Sequence, residues 1–414
     1  MRRGQNNFIN RSMSAPRIIT PGPAELADIS GQVAIVGVGE SVMSGPSGRD
    51  PKKMAFLAIN NALADAGFSS ADVDGIMVAD GLPEQITPDD FRDRYGLEQA
   101  LWFSGEGGGL ARIATAPLAA WQAMRSGEAS VVVSVLGIDW ASQSRAGTGG
   151  PAEYHREHAI KANAEAPFGF LPQPVYFAHI ARRHMLDFGT TGAQLGALAV
   201  ACRRHATGHP GAVLRDKPLS LDKYLAREPF IDPLRTDDCC LISDGAAALV
   251  MVSADRARDF PKRAAIVEGV GYGGAEEGTM FAQEPAFTST PMRFAAPGAF
   301  AMAGIAPGEV DVLSLYDPFT VTALMMIEDM GFCAKGEGGP FVEGDRLHFD
   351  GGGIPLNTHG GMLSHAYTLG ASHIVELVRQ LRGEAANQVE GAGIAIHGGY
   401  SGSDAACLVL RRGD

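Results

Sequence analysis

The sequence predicts an α/β fold made of two similar halves whose sheets face one another. Short apolar runs ending in glycine alternate with longer stretches of helical period, a gapless repeat links the two halves, and each half opens a helix from a cluster of glycines. The repeat pairs ALADAGFSSADVDGIMVAD at 62–80 with AFAMAGIAPGEVDVLSLYD at 299–317, sharing the Ala-Gly turn, the Val-Asp step and the terminal aspartate (Asp80 and Asp317). A looser match follows, from Gly108 to an RSGEA ending and from Gly360 to an LRGEA ending. The alternative is chance similarity of two helix-to-strand joints.

The elements follow in order. VAIVGVG at 33–39 reads as a buried strand, and 51–67 as an amphipathic helix that starts at proline and stops at glycine. A short strand is expected at 75–80. Gly107, Gly108 and Gly109 then open an Ala-rich helix to about residue 125, followed by a buried strand at 130–136. From 139 to 174 the periodicity is lost, which suits an inserted loop region over a site. Helices return at 176–188 and 191–207, and strands at 246–253 and 264–272. The expected division is a loose tail at 1–30, a first half at 31–273 with the insertion at about 139–235, and a second half at 274–414.

With 414 residues, 45% of them apolar and 20% charged, the chain has the composition of an ordinary soluble globular protein. A formal charge of -13 argues against a nucleic-acid partner, since phosphate would be repelled. No apolar run reaches the roughly 18 to 20 residues that cross a bilayer. The five cysteines, Cys202, Cys239, Cys240, Cys333 and Cys407, are scattered and form no CxxC pair. They read as reduced, buried structural thiols in a reducing compartment. The first residues contain no apolar signal core, so the expected location is cytoplasmic. His155, His158, His179, His184, His205 and His209 lack metal-ligand spacing and are expected at surfaces or caps; no metal is expected.

The chain is organised around IPLNTHGGMLSHAYTLGASH at 354–373, which runs from a glycine-rich loop through Gly360 and Gly361 to a helix starting near Gly370. Glycines let backbone approach a ligand, and a helix start offers free N–H groups. Its frame, N-x-x-G-G followed after seven residues by L-G-A-S, resembles the active-site segment of thiolases, N-x-N-G-G-x-x-x-x-G-H-P-L-G-A-S. SDGAAALVMVS at 243–253, RSGEAS before a buried strand and YDPFT at 316–320 extend the likeness over nearly the whole chain beyond the tail. The resemblance implies the thiolase fold, with duplicated αβαβα layered halves related by a pseudo-twofold axis and an inserted loop region.

The departures from the thiolase pattern matter more than the matches. Tyr367 stands where the catalytic histidine is expected. The nucleophilic cysteine should lie at the start of the Ala-rich helix, but FSGEGGGLARIATAP at 103–117 contains none, and Ser104 falls outside the expected turn. The second cysteine is replaced by IHGGYSG, with His397, and the N-E-A-F asparagine by Tyr316 of Y-D-P-F. Without a thiolate, acyl transfer has no nucleophile. This pattern is similar to the cysteine-less thiolase-like aldolases of bacterial steroid side-chain degradation, often called lipid-transfer proteins. That resemblance implies retro-aldol cleavage of a β-hydroxyacyl-CoA to a ketone or aldehyde and a shorter acyl-CoA, with no covalent acyl-enzyme and no cofactor. It also implies a homodimer that binds an OB-fold partner in a heterotetramer.

Tyr367 is the leading catalytic candidate, as base for the hydroxyl or acid toward the enolate; otherwise it packs on the glycine loop. A tyrosine has an ordinary pKa of about 10, so a basic role needs a positive neighbour or strong hydrogen bonds. Tyr316 is either the second proton relay or holds the thioester oxygen. His359 either polarises a tyrosine or is structural, and His365 either supports the site or caps structure. His397, Gly398, Gly399, Gly360 and Gly361 are the candidates for substrate and oxyanion binding. Tyr272 reads as packing, and Asp317 as a turn residue. The pocket walls are expected from 139–174 and 275–290. Two other functions remain open: a thiolase-type acyltransferase with an atypical nucleophile, and a non-catalytic acyl-CoA-binding scaffold.

Overall fold

The structure, a computed structural model, describes residues 22–79, 82, 84–148, 163, 166–169, 173–274, 286–402 and 404–414. The expectations for Asp80, His155, His158, most of the tail, much of 149–172 and residues 275–285 lie outside them.

The first half begins with β1 (Val33–Glu40), buried along nearly its whole length. Helix α1 (Pro51–Ala66) starts where Asp50 accepts N–H bonds from Lys52 and Lys53, has Pro51 in its first turn, and stops at left-handed Gly67. Strands β2 (Gly75–Met77), β3 (Trp102–Ser104) and β4 (Val132–Asp139) and helices α2 (Pro88–Tyr95) and α3 (Arg112–Ser126) follow. The region with no evident period contains α4 (Trp140–Ala146). After it come α5 (Pro174–Phe188), α6 (Gly192–Gly208), α7 (Leu221–Leu225) and β5 (Asp244–Ser253). The remaining elements are β6 (Ala265–Gly274), α8 (Met292–Ala303), β7 (Val312–Leu315), α9 (Thr320–Asp329), α10 (Gly338–Phe341), α11 (Gly361–Ser364), α12 (Ala371–Arg382), β8 (Ile394–Tyr400) and β9 (Asp404–Arg412).

The strand order is β3-β2-β4-β5-β1-β6-β9-β8-β7, with the short strand Gly22–Pro23 added beside β6. Its middle reads the same from either end. β2 and β4 are parallel, then β4–β5 and β5–β1 antiparallel. β7 and β8 are parallel, then β8–β9 and β9–β6 antiparallel. The halves join at a narrow seam, where Ala34 and Ile35 of β1 pair with Ile266 and Ala265 of β6. β6, which the sequence reading placed at the end of the first half, pairs along its length with β9. The repeat is realised element for element: 3₁₀ turns Ser70–Asp72 and Pro307–Glu309 precede β2 and β7.

Side-chain alternation along the strands builds the layers. Ala34 and Val36 of β1 pack toward α1 in one cluster, while Val33 and Ile35 face the opposite way. There they join Ile113 and Ala120 of α3, Ile374 and Val378 of α12, and Val267 and Leu408 of the second sheet. Thus α3 and α12 form the central layer, α1 covers one sheet and α8 the other. Close approach of the outer helices explains the Gly-x-Gly strands. A Cβ on Gly37 or Gly39 would stand 2.3 Å from an α1 carbonyl oxygen, and one on Gly269 or Gly271 would stand 2.2 or 1.9 Å from a carbonyl of α8.

Candidate active site

The site lies where the central helices begin. Leu110 N–H donates to the carbonyl of Leu369 at 2.7 Å, joining the glycine loop before α3 to the loop before α12. A Cβ on Gly109 would stand 2.6 Å from that of Leu369, so the two loops approach as closely as backbone permits. Over Gly107–Leu110, where the acyl-accepting sulfur of thiolases would be expected, the chain carries no thiol. Ser104 Oγ instead accepts the N–H of Glu106 at 3.1 Å.

Tyr316 and Asp317 leave the end of β7. Asn357, at φ +49, caps that strand with its side chain: Oδ1 accepts Leu315 N–H at 2.8 Å and Nδ2 donates to Leu315 O at 3.0 Å. This bond pair locks the strand end to the N-T-H-G-G loop. Gly360 and Gly361 then turn through φ +112 and +62. Asp317, fully buried, accepts the N–H of Met362 at 2.8 Å and of Leu363 at 3.3 Å, and contacts His373 Nε2 at 3.0 Å. It anchors the loop as well as serving the turn expected of it. Gly360 and Gly361 serve this anchoring: a Cβ on Gly361 would stand 2.1 Å from Asp317 Oδ2.

The chain returns through Tyr367, whose N–H donates to Ser243 Oγ at 2.6 Å and whose ring lies 5.5 Å from that of buried Trp140. The hydroxyls of Tyr316 and Tyr367 are 3.3 Å apart. Tyr316 is buried and Tyr367 half-buried. Burial, then Tyr367, pushes the Tyr316 phenol well up, so it stays protonated at neutral pH and is a donor.

His397 is buried on β8, its Nδ1 3.0 Å from the Ser314 carbonyl. A carbonyl accepts only, so Nδ1 carries the proton; burial, then His373, lowers the imidazole to about 3. Neutral His397 therefore presents Nε2 as an acceptor, and that atom has no partner. An oxyanion hole needs a donor, so this tautomer does not support the oxyanion role expected of it. Its Nε2 and the Tyr316 ring flank Gly370, at 3.5 and 3.4 Å from where a Cβ would stand. Gly398 and Gly399 lie inside the β8–β9 ladder. A Cβ on Gly399 would stand 2.7 Å from Leu110 O, so packing of the first half on the second explains that glycine.

His359 hydrogen-bonds neither tyrosine. Both its nitrogens are buried without a partner, and its ring faces His365 and His373 at 4.9 and 4.7 Å. His184 and His205, expected at surfaces or caps, are buried within α5 and α6, whereas His209, also buried, stands at the C-cap of α6 as expected. Tyr272 donates to Asp404 at 2.8 Å, in keeping with packing.

The thiols need one correction. Cys202 and Cys407 are buried, but Cys239, Cys240 and Cys333 are only partly so. Cys202 Sγ also reaches within 3.8 Å of Asp317 Oδ2, a proximity that sequence spacing did not reveal. Burial, then Asp317, pushes the Cys202 thiol well up, and burial does the same to Cys240, so neither has thiolate character. Sequence reasoning also missed Trp140, Ser243, Asn357 and His373. Asn357 and His373 could have been found inside the 354–373 frame, whereas Trp140 lies where no period was evident.

Fold and site together define a thiolase-like protein in which two phenols, Tyr316 and Tyr367, meet beside the glycine loops. Residues 273–412 match the thiolase C-terminal domain-like family. The chain is 36% identical over 88% of its length to 17-hydroxy-3-oxo-4-pregnene-20-carboxyl-CoA lyase of Mycobacterium tuberculosis, covering 95% of that protein. It is 34% identical over 87% of its length to a steroid side-chain-cleaving aldolase of Thermomonospora curvata, covering 93% of it. The solved Ltp2-ChsH2(DUF35) aldolase superposes with a TM-score of 0.83 at 31% identity, over 93% of this chain and 99% of that one. The chain belongs to the family of thiolase-like aldolases, carbon–carbon lyases that share the thiolase fold.

Proposed function

We propose that this protein cleaves a steroid-type β-hydroxyacyl-CoA by a retro-aldol reaction in which the tyrosine pair moves the protons. The observation that carries the reading is the 3.3 Å contact between Tyr316 and Tyr367 at the junction of glycine loops that hold no ionisable thiol. Tyr367, less buried, acts as the phenolate base, and Tyr316 donates a hydrogen bond that favours that phenolate. The base removes the β-hydroxyl proton, the Cα–Cβ bond breaks, and its electron pair forms the thioester enolate. A proton returned through Tyr316 to Cα completes a ketone and a shorter acyl-CoA. No water, oxidant or cofactor enters the balance. The M. tuberculosis relative's name places a hydroxyl on carbon 17 and the thioester at the carboxyl on carbon 20, a β relation that suits this chemistry.

The reading extends to partners. The Ltp2-ChsH2(DUF35) likeness supports assembly with a DUF35-type protein, here taken as the OB-fold subunit of a heterotetramer. The free edge of β3, with Phe103 45% exposed, supports a homodimer through that strand. Among the described residues no helix is long and apolar enough to cross a membrane, and a cytoplasmic enzyme is proposed.

The test is incubation of the purified protein, with a DUF35-type partner, with the CoA thioester of a 17-hydroxylated steroid side chain. The expected products are a ring ketone and a shorter acyl-CoA in equal amounts. Binding without turnover in every reconstituted complex would sink the proposal.

A further inference from the structure

Tyr367 is held from two directions, and both holds trace to adjacent residues at the start of β5. Ser243, fully buried, accepts the Tyr367 N–H at 2.6 Å and so fixes the main chain that carries the ring. Trp140, itself buried, lies 5.5 Å from that ring at an interplanar angle of 32° and limits where the ring can go. Trp140 in turn opens α4, a helix of seven residues. A helix this short does not hold its own shape, so its place is set by what it is tied to.

Its own N-cap residue does not tie it. Asp139 makes no side-chain cap bond, and its Oδ1 accepts the Gln143 amide N–H at 2.6 Å instead. The cap comes from across the β4–β5 ladder, where Asp244 stands opposite Asp139. Asp244, fully buried, accepts the Ser142 N–H at 3.0 Å and the Ser142 hydroxyl at 2.6 Å. Its Oδ2 also accepts the N–H and the hydroxyl of Ser47 at 2.7 and 2.8 Å. Ser142 Oγ completes the joint by accepting the N–H groups of Ser47 and Gly48 at 3.0 and 2.8 Å. Burial raises the Asp244 carboxyl, but the bonds from Ser142 and Ser47 outweigh that and hold it below the ordinary aspartate range. Charge-assisted bonds to a buried carboxylate are the strong kind, so the start of α4 is firmly seated.

We propose that Asp244 is a positioning residue for the reaction: through Ser142 it seats Trp140 against Tyr367, so that the Tyr367 hydroxyl meets that of Tyr316. One turn of chain thus holds both sides of the ring, Ser243 its backbone and Asp244 the indole it packs on. A misplacement of about 1 Å at a reacting group can cost about 10²-fold in rate, which gives so small a joint its leverage. The proposal rests on the tyrosine-based reading of the site and adds what fixes its geometry.

Asp244→Asn keeps the shape and removes an acceptor. Its amide nitrogen would face either the Ser142 N–H or the Ser47 N–H, donor against donor. In the full-length protein with its DUF35-type partner, kcat is expected to fall at least about tenfold, with KM within about twofold of wild type. Trp140→Ala should do the same, while Trp140→Phe, which keeps a ring against Tyr367, should restore most of the rate. The double variant Asp244→Asn/Trp140→Ala should lose no more than the larger single loss, because both changes act through one contact. Additive losses, or a kcat within about twofold of wild type in folded Asp244→Asn, would overturn the proposal. If Asp244→Asn does not fold, Ser142→Ala takes its place in the same cycle, since it deletes the hydroxyl between the carboxylate and α4.

Near-ultraviolet circular dichroism reads the joint without turnover. The Trp140 band, defined as the difference between wild type and Trp140→Phe, should collapse in Asp244→Asn while the far-ultraviolet spectrum stays that of wild type. An unchanged band would overturn the positioning role even if the substrate is cleaved. A collapsed band in a protein that cleaves no β-hydroxyacyl-CoA would keep the joint and remove the proposed reaction.

Discussion

The hydroxyl of Tyr316 stands 3.3 Å from that of Tyr367, across 51 residues of sequence. Tyr316, the more buried of the two, is held protonated by burial and by its neighbour, so it is able to donate toward Tyr367.

Tyr367→Phe removes the acceptor and is expected to lower kcat by about 10²–10⁴-fold, with the melting temperature nearly unchanged because the ring still packs on Trp140. Tyr316→Phe should cost a similar factor. Steady-state assays of ketone release check both; full activity in Tyr367→Phe would remove the mechanism.

Intact-mass spectrometry after incubation with the acyl-CoA substrate is expected to show no covalent acyl adduct. Cys202→Ala and Cys240→Ala should keep wild-type turnover within about threefold, since burial holds both sulfurs as neutral thiols. An adduct on either sulfur would indicate acyl transfer instead.

Gly361→Ala places a methyl 2.1 Å from Asp317 Oδ2 on a backbone at φ +62. The left-handed backbone alone costs about 1–3 kcal/mol, and displacement of Asp317 would release the loop that carries Tyr367. Chemical denaturation should show the stability loss, and activity should fall with it.

Asp65 ties α1 to both halves: it accepts the Val38 N–H at 2.9 Å and the Lys262 ammonium at 2.7 Å, and pairs at 2.6 Å with Arg382, whose side chain is 1% exposed. Burial raises its carboxyl, but Lys262 and Arg382 outweigh that and hold it below the ordinary aspartate range. A depressed carboxyl stabilises the fold above the unfolded-state pKa and loses that contribution as pH falls through the folded-state value. Asp65→Asn should thus destabilise by on the order of 3 kcal/mol near neutral pH, because it leaves a buried guanidinium without its carboxylate. The difference from wild type should shrink as pH drops below about 4, measured by denaturant titration across pH.

The two-halved α/β architecture was legible in the residues alone. Helix α1 reads directly, from Asp50 and Pro51 to Gly67. The 62–80 and 299–317 repeat anticipates matching turns, strands β2 and β7, and the helices α3 and α12 that open from glycines. These features are local: alternation, caps and left-handed glycines act over a few residues, so a short window of sequence contains their cause. The replacement of the thiolase histidine by Tyr367 and of the N-E-A-F asparagine by Tyr316, with no cysteine at either expected position, was equally visible, since it concerns which residue occupies a position.

What only the tertiary structure decided is which side chains meet. Trp140 against Tyr367 and Cys202 beside Asp317 join segments whose sequence separation says nothing about distance. The tautomer of His397 likewise follows from the Ser314 carbonyl that receives its Nδ1 proton, a neighbour supplied by pairing of β7 with β8. Protonation in a buried site is set by desolvation and by the partners that packing brings within hydrogen-bond reach, and both are properties of the folded arrangement.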